Sequence, residues 1–275
     1  MKNKRICILI SIMIALIILV VGLWNRTISV NPEPVSSQNF EVEQENQKAN
    51  LEISSEDNPK IQSHIVCIDP GHQQRADMKK EPIGPGATKK KPKVDGGTIG
   101  KYTNITEYQL NLDIALKLQT ELESRGYTVV MTRTTNDVNI SNSERAIMAN
   151  EAGAEAFVRI HADGSDIQSV QGASTICQSP DNPYNGALYE SSRRLSECVL
   201  EGVVASTGCK KRQILELDTM SGINWSQVPN TIIEVGYLTN KAEEAKLVTE
   251  DYQQLLAKGI ADGIDKYFKE NTTGE

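Results

Sequence analysis

From residue 61 onward, short apolar strands alternate with amphipathic helices, and few folds accept that alternation. The first strand, read at 64–69 (HIVCID), runs into the turn Asp69-Pro70-Gly71 and stops at His72. A helix beginning at Thr106 sets Leu112, Ala115, Leu116 and Leu122 on one face, with Thr106 and Gln109 spaced as a capping box and Gly126 as its stop. The pattern continues with a strand at 127–133, a helix at 142–152 opened by Ser141 and Glu144 and closed by Gly153, and strands at 156–161 and 172–178. A long helix at 184–206, strands near 212–217 and 231–235 and two closing helices complete it. It predicts a single α/β domain over 61–270 with a mostly parallel, mixed sheet flanked by helices, and a flexible tail at 271–275.

The chain has 275 residues, enough for one large domain with appendages. After the basic opening MKNKR, residues 6–24 (ICILISIMIALIILVVGLW) hold no charge and are long enough to cross a bilayer as a helix. Lys2, Lys4 and Arg5 then place residues 1–5 in the cytoplasm and the rest of the chain outside. This gives a single-pass anchor with an extracytoplasmic domain; the alternative is secretion after signal cleavage, although Leu23-Trp24-Asn25-Arg26 is not a small-residue cleavage site. Residues 25–60, rich in Ser, Asn, Gln, Glu and Pro without sustained period, read as a disordered linker.

The formal net charge is −7, and setting aside the three positive residues of the opening leaves −10 for everything after it. Such a surface excludes nucleic acid as a partner and repels anionic wall polymers, so the anchor, not a basic patch, is expected to hold the protein in place. A monomer is expected. Cys67, Cys177, Cys198 and Cys209 form no CxxC pair and read as buried thiols, with a Cys198–Cys209 disulfide left open.

Three polar residues fall where a site would form. His72 follows the first strand after its turn, His161 closes AFVRI and Glu234 closes TII. Ligands of open α/β sheets bind beyond the carboxyl ends of strands, so these residues converge on one cleft if the strands lie side by side. Glu107, in the first turn of its helix, is a fourth candidate, although an acid there also simply complements the helix dipole. A strand-end histidine is ordinarily satisfied by a backbone carbonyl, and that bland explanation holds for His64. An acid in the apolar run IIEVGY is harder to dismiss, because burying it without a partner is costly. Two imidazoles and a carboxylate with one tetrahedral position open would make a catalytic zinc site, with a further carboxylate as general base. The helix-borne HExxH motif is absent.

The stretches IVCIDPGH, TEYQLNL, SERAIMANEAGAEAFVRIHAD and VPNTIIEVGYLTN resemble, in order, the motifs of the zinc-dependent N-acetylmuramoyl-L-alanine amidases of the bacterial cell-wall hydrolase family often called amidase 3. The resemblance covers roughly residues 64 to 268. It implies that His72, Glu107 and His161 bind Zn2+, that Glu234 is the catalytic carboxylate, and that Arg145 and Asn150 are scaffolding. The implied reaction is hydrolysis of the amide joining the lactyl group of N-acetylmuramic acid to L-alanine of the peptidoglycan stem peptide. Three positions depart from the pattern: Gln73-Gln74 in place of Gly-Gly, and Arg159 and Asp163 where Ser and Asn are common. The Lys-, Gly- and Pro-rich loop 73–106 is longer than the resemblance suggests; its lysines either are solvated, or meet anionic groups at the cleft mouth, or the loop gates access. Other readings are a non-catalytic peptidoglycan-binding wall protein with this fold and a zinc peptidase acting on another wall substrate.

Overall fold

The computed structural model describes residues 63–272, of which the last two are described by backbone alone. The expected anchor and linker lie outside the described residues. Among the described residues no helix is long and apolar enough to cross a membrane.

In chain order the elements are β1 (Ile65–Pro70), β2 (Asp77–Pro82), β3 (Lys90–Val94), α1 (Glu107–Ser124), β4 (Thr128–Met131), α2 (Asn142–Glu151), β5 (Ala156–Asp163) and β6 (Ala173–Cys177). A 3-10 turn (Gly186–Leu188) leads into α3 (Tyr189–Thr207), followed by β7 (Lys211–Glu216), α4 (Ser221–Asn224), β8 (Asn230–Tyr237), α5 (Lys241–Leu247) and α6 (Glu250–Thr272). The helix α6 therefore extends into the segment expected to be a flexible tail. The main sheet has the order β4-β1-β5-β8-β6-β7. Every adjacent pair is parallel except β6 with β8, which agrees with the mixed sheet read from the sequence.

Period-two alternation sorts the strand residues between two faces. Val66 and Ile68 of β1, Val158 and Ile160 of β5, and Ile233 and Val235 of β8 join the principal core with α1, α3 and α6. Leu110, Ile114, Leu118 and Leu122 of α1 are fully buried in it, and each contributes on the order of 2 kcal/mol of hydrophobic stabilisation. The sequence placed Leu116 on this stripe, but it is 38% exposed; it lies on the far side of the helix from Leu118, while Leu110 and Ile114 carry the buried face. Cys67 and Phe157 point the other way, onto α2, and Ile232 points onto α4. Asp69, Arg159, His161 and Glu234 alternate onto this second face.

Several local expectations change. Ser141 and Glu144 do form a capping box on α2, but Thr106 makes no side-chain cap on α1. Gln109 is engaged elsewhere, donating to Asp113 and accepting from Asn136, and the first turn is closed by Thr98, whose carbonyl accepts from the Glu107 amide at 2.9 Å. The segment 73–106 is not a plain loop: β2 and β3 pair as an antiparallel hairpin. That hairpin is fastened to the body, with Ser143 Oγ donating to Glu81, Asn142 to the Lys93 carbonyl, Asn224 to the Ile83 carbonyl and Trp225 to the Pro82 carbonyl. The short helix α4 has no forerunner in the sequence reading. All four described cysteines are free thiols, so Cys198 and Cys209 are not joined. His64 has a structural partner, as expected, but it is the Glu155 carboxylate at 2.8 Å rather than a backbone carbonyl, and its ring stacks on Phe268.

Candidate metal centre

The turn after β1 is held from behind by two guanidinium groups. Arg133 donates to the carbonyls of Pro70 and Gly71 at 2.8 and 2.9 Å, and Arg145 donates to those of Pro70 and His72 at 2.8 and 2.9 Å. Gly71 N bonds the Ile160 carbonyl on β5, tying the turn to the strand that carries His161. His72 adopts the left-handed region with φ 60°, a conformation that costs a non-glycine residue on the order of 1 kcal/mol and persists only where its surroundings enforce it.

His161 and Glu234 are register partners on β5 and β8. Neither closes its strand as the sequence suggested, because β5 runs on to Asp163 and β8 to Tyr237. A register shift follows immediately, so the two side chains stand on the sheet face beside a bulge near the carboxyl ends. Glu107, at the start of α1, is brought to the same place: its Oε2 accepts from the Thr98 amide at 2.7 Å and its Oε1 from the Ala162 amide at 3.2 Å.

Three ligand atoms converge as a result. His72 Nε2 lies 3.0 Å from Glu107 Oε1, His161 Nδ1 lies 3.1 Å from the same oxygen, and the two ring nitrogens are 3.2 Å apart. Donor atoms held 2.0–2.1 Å from a tetrahedral ion are separated by about 3.3 Å, so this triangle has the size of one face of such a coordination shell. The donor set, two imidazoles and one carboxylate, is also that of a catalytic zinc site. Glycines line the cradle where a side chain would intrude. A Cβ on Gly71 would fall 2.3 Å from the His161 ring, and one on Gly97 would fall 2.8 Å from Glu107 Oε2 and 2.9 Å from His72. The Gly71→Ala protein is therefore expected to lose metal affinity by at least about tenfold, since the His161 ring must leave the triangle; full metal content by elemental analysis would count against this geometry.

The electrostatics favour a cation at this point. Burial opposes charge on His72, but its hydrogen bonds to Asp95 and Glu107 outweigh that and push its pKa up to about 10. Glu107 is buried, yet hydrogen bonds from His161 and His72 hold its carboxyl well below the usual range. His161 is lowered by burial and then by the charge on His72, against the pull of Glu107. Two carboxylates thus surround the imidazoles and stabilise positive charge between them.

Asp95 was missed in the sequence. Its Oδ1 accepts from His72 Nδ1 at 2.8 Å, and its own pKa falls to about 2, first through that hydrogen bond. A carboxylate on the far nitrogen of a ligating histidine fixes its tautomer and ring orientation; the one signal was an acid placed before Gly96-Gly97 in a loop. The far nitrogen of His161, Nε2, is buried without a partner.

Glu234 lines the same cleft as the triangle. Its Oε2 is buried with no hydrogen-bond partner, and its pKa is raised well above the ordinary value by burial, then by the charges of Glu107 and Asp163. It makes no contact with a triangle atom short enough to count as a hydrogen bond.

Behind the site, Asp69 is fully buried and pairs with two guanidiniums, Arg145 at 2.6 Å and Arg159 at 2.8 Å, and accepts from Thr132 at 2.5 Å. Arg145 is the scaffold the sequence proposed. Asn150 acts further off, bonding the Trp225 carbonyl and the Gln227 amide ahead of β8. Gln73 is buried, its Oε1 accepting from the Ile140 amide and from Arg145. Arg159, one of the departures, is no rim residue: it is 3% exposed and also bonds Asn142.

Comparison with known proteins agrees with this arrangement. The family profile described as N-acetylmuramoyl-L-alanine amidase matches residues 66–266. The chain is 29% identical over 212 residues to N-acetylmuramoyl-L-alanine amidase LytC of Bacillus subtilis (strain 168), an alignment spanning 77% of this chain but only 37% of that longer protein. Among solved structures it is similar to the amidase Ami1 of Mycobacterium smegmatis, with TM-score 0.69, 26% identity, and coverage of 75% of this chain and 97% of that one. It is also similar to the N-acetylmuramoyl-L-alanine amidase of Clostridium difficile 630, with TM-score 0.62, 31% identity, and coverage of 75% and 97%. With the profile spanning most of the chain, the chain belongs to the N-acetylmuramoyl-L-alanine amidase family.

Proposed function

We propose that the protein is a zinc-dependent N-acetylmuramoyl-L-alanine amidase that hydrolyses the amide between N-acetylmuramic acid and the L-alanine of the peptidoglycan stem peptide. The observation that carries the proposal is the triangle of His72 Nε2, Glu107 Oε1 and His161 Nδ1 with the unpartnered carboxyl of Glu234 in the same cleft. His72, Glu107 and His161 would hold the zinc, which when bound supplies Lewis-acid polarisation of the scissile carbonyl and acidifies a water. Glu234 would take the proton of the attacking water and deliver it to the leaving amine. Burial, and then the negative charges of Glu107 and Asp163, favour the protonated form of Glu234; a dication held by His72, Glu107 and His161 would oppose those charges and favour the ionised form a base requires. Asp95 keeps His72 aimed, and the buried Asp69 cluster keeps the turn rigid.

We further propose that residues 6–24 anchor the chain in the cell membrane, that 25–60 form a spacer, and that the domain from residue 61 works outside the membrane as a monomer on the wall. The apolar run and its basic flank support the anchor.

Incubating the zinc-loaded full chain with purified sacculi tests the reaction. Free stem peptides with an L-alanine amino terminus, seen by mass spectrometry, are the expected product. Muropeptides left intact would favour the non-catalytic binding role, and cleavage inside the peptide would favour a peptidase.

A further inference from the structure

The cleft carries two cations that the proposed chemistry does not use. Lys91, on β3, lines it together with Arg159, Asn142 and the run Met220-Ser221-Gly222. These residues are contiguous. The Lys91 ammonium lies 3.7 Å from Met220 Sδ, Arg159 bonds Asn142 at 2.7 Å, and a Cβ on Gly222 would fall 2.1 Å from Arg159 Nη1. Lys91 is the one lysine of the hairpin that reaches this cleft.

Neither cation is fully satisfied. Among the described residues the thioether is the only hydrogen-bond acceptor of Lys91, and no carboxylate lies within ion-pair distance of it. Its register partner across the hairpin, Glu81, is held instead by Ser143 at the start of α2. Arg159 spends Nε on Asp69 and Nη2 on Asn142, leaving Nη1 without a hydrogen bond against the bare backbone of Gly222. One buried carboxylate, Asp69, already serves both Arg145 and Arg159. Burial, and then the neighbouring Arg159 guanidinium, act against the Lys91 ammonium and outweigh the opposing pull of the Asp95 and Glu81 charges. A half-buried ammonium beside a buried guanidinium with a donor to spare is unfavourable unless an anion comes between them.

We propose that Lys91 and Arg159 form a carboxylate subsite that grips a free carboxylate of the stem peptide. The inference rests on the amidase reading for the identity of the substrate. In that substrate the lactyl carboxyl is consumed in the scissile amide, so a free carboxylate must come from the peptide. A planar carboxylate suits a guanidinium donor with an ammonium beside it, and charge-assisted bonds of this kind are among the stronger polar contacts. The subsite would orient the leaving amine and favour stem peptides whose acid is free over those in which it is amidated.

The test is calorimetric titration of the zinc-loaded full chain carrying Glu234→Gln with L-alanyl-D-glutamine, whose one free carboxylate is the α-carboxyl, and with the same dipeptide amidated there. The acid is expected to bind at least about tenfold more tightly. Adding Lys91→Met should bring that ratio close to one, while Lys91→Arg should keep it, with thermal melts confirming that both proteins fold. Equal binding or no binding of the two dipeptides, or an undiminished ratio in the Lys91→Met protein, would overturn the subsite. Sacculus digestion by the chain with Glu234 intact is scored separately. A preference for the acid without release of stem peptides upholds the subsite and removes the amidase reading, and release without preference does the reverse.

Discussion

The Glu234→Gln protein is expected to keep its full zinc content and to release stem peptides from sacculi about 10²–10⁴-fold more slowly, the usual contribution of a positioned general base. Glutamine preserves the size of the side chain and removes only the ability to take a proton. Glu234 makes no hydrogen bond to His72, Glu107 or His161, so the triangle has no reason to open. The change in stability has a definite sign as well. An acid whose folded pKa is raised above its unfolded value favours the fold only while protonated, and that contribution is lost as pH rises through the folded pKa. At neutral pH, above the ordinary carboxyl pKa, Glu234 thus costs folding stability, and the glutamine protein should melt at the same temperature or higher. Loss of zinc together with activity would make Glu234 a ligand; undiminished release would remove it from the chemistry.

The largest effect on stability is expected from Asp69→Asn. The substitution leaves Arg145 and Arg159, 0% and 3% exposed, without their shared counter-charge. Stranding a buried charge in this way costs about 3–5 kcal/mol, a large share of the total stability of a domain of this size. Burial alone would raise the Asp69 pKa, but Arg145, then Arg159 and the Thr132 hydroxyl, hold it far below the ordinary value. Because the folded pKa is depressed, the stabilisation is complete above the unfolded pKa of about 4 and is lost below it at about 1.4 kcal/mol per pH unit. Denaturant titrations between pH 5 and 2 should therefore show a steeper acid limb for wild type than for the Asp69→Asn protein. Identical limbs would mean that the cluster contributes nothing through its charge.

What the sequence disclosed, and what it hid, follows from the kind of force involved. The strands β1, β5 and β8 bury both faces and so read as apolar runs, and α1 and α3 bury one stripe each. The hairpin was invisible because DMKKEP and KKPKV are mostly polar, exposed or half-buried over most of their length, with no period to detect. Its place comes from side-chain bonds to Asn142, Ser143, Asn224 and Trp225, partners remote in sequence. These bonds also change how the loop's role should be tested: deleting residues 79–93 would remove the Glu81–Ser143 and Pro82–Trp225 contacts and disturb the body of the domain. A point substitution at Lys91 avoids that.

The site was legible to the extent that strand order made it so. His72, His161 and Glu234 needed only β1, β5 and β8 to be neighbours, which they are. For Glu107 the helix-dipole explanation was sufficient on local grounds, and only the fold shows that its Oε1 meets two imidazoles. Asp95 and Arg159 were beyond reach for opposite reasons. Asp95 acts from an irregular loop. Arg159 stands in an apolar strand, where a long cation reads as a surface departure until its buried partner is known.

The backbone between Pro70 and His72 gives three carbonyl oxygens to two guanidiniums, one of which, Arg145, also belongs to the innermost charge cluster. Ion occupancy and tertiary integrity are consequently one linked equilibrium. A substitution deep beneath the sheet can empty the centre without touching a ligand, and a tightly held ion can in turn rescue a chain whose interior has been weakened.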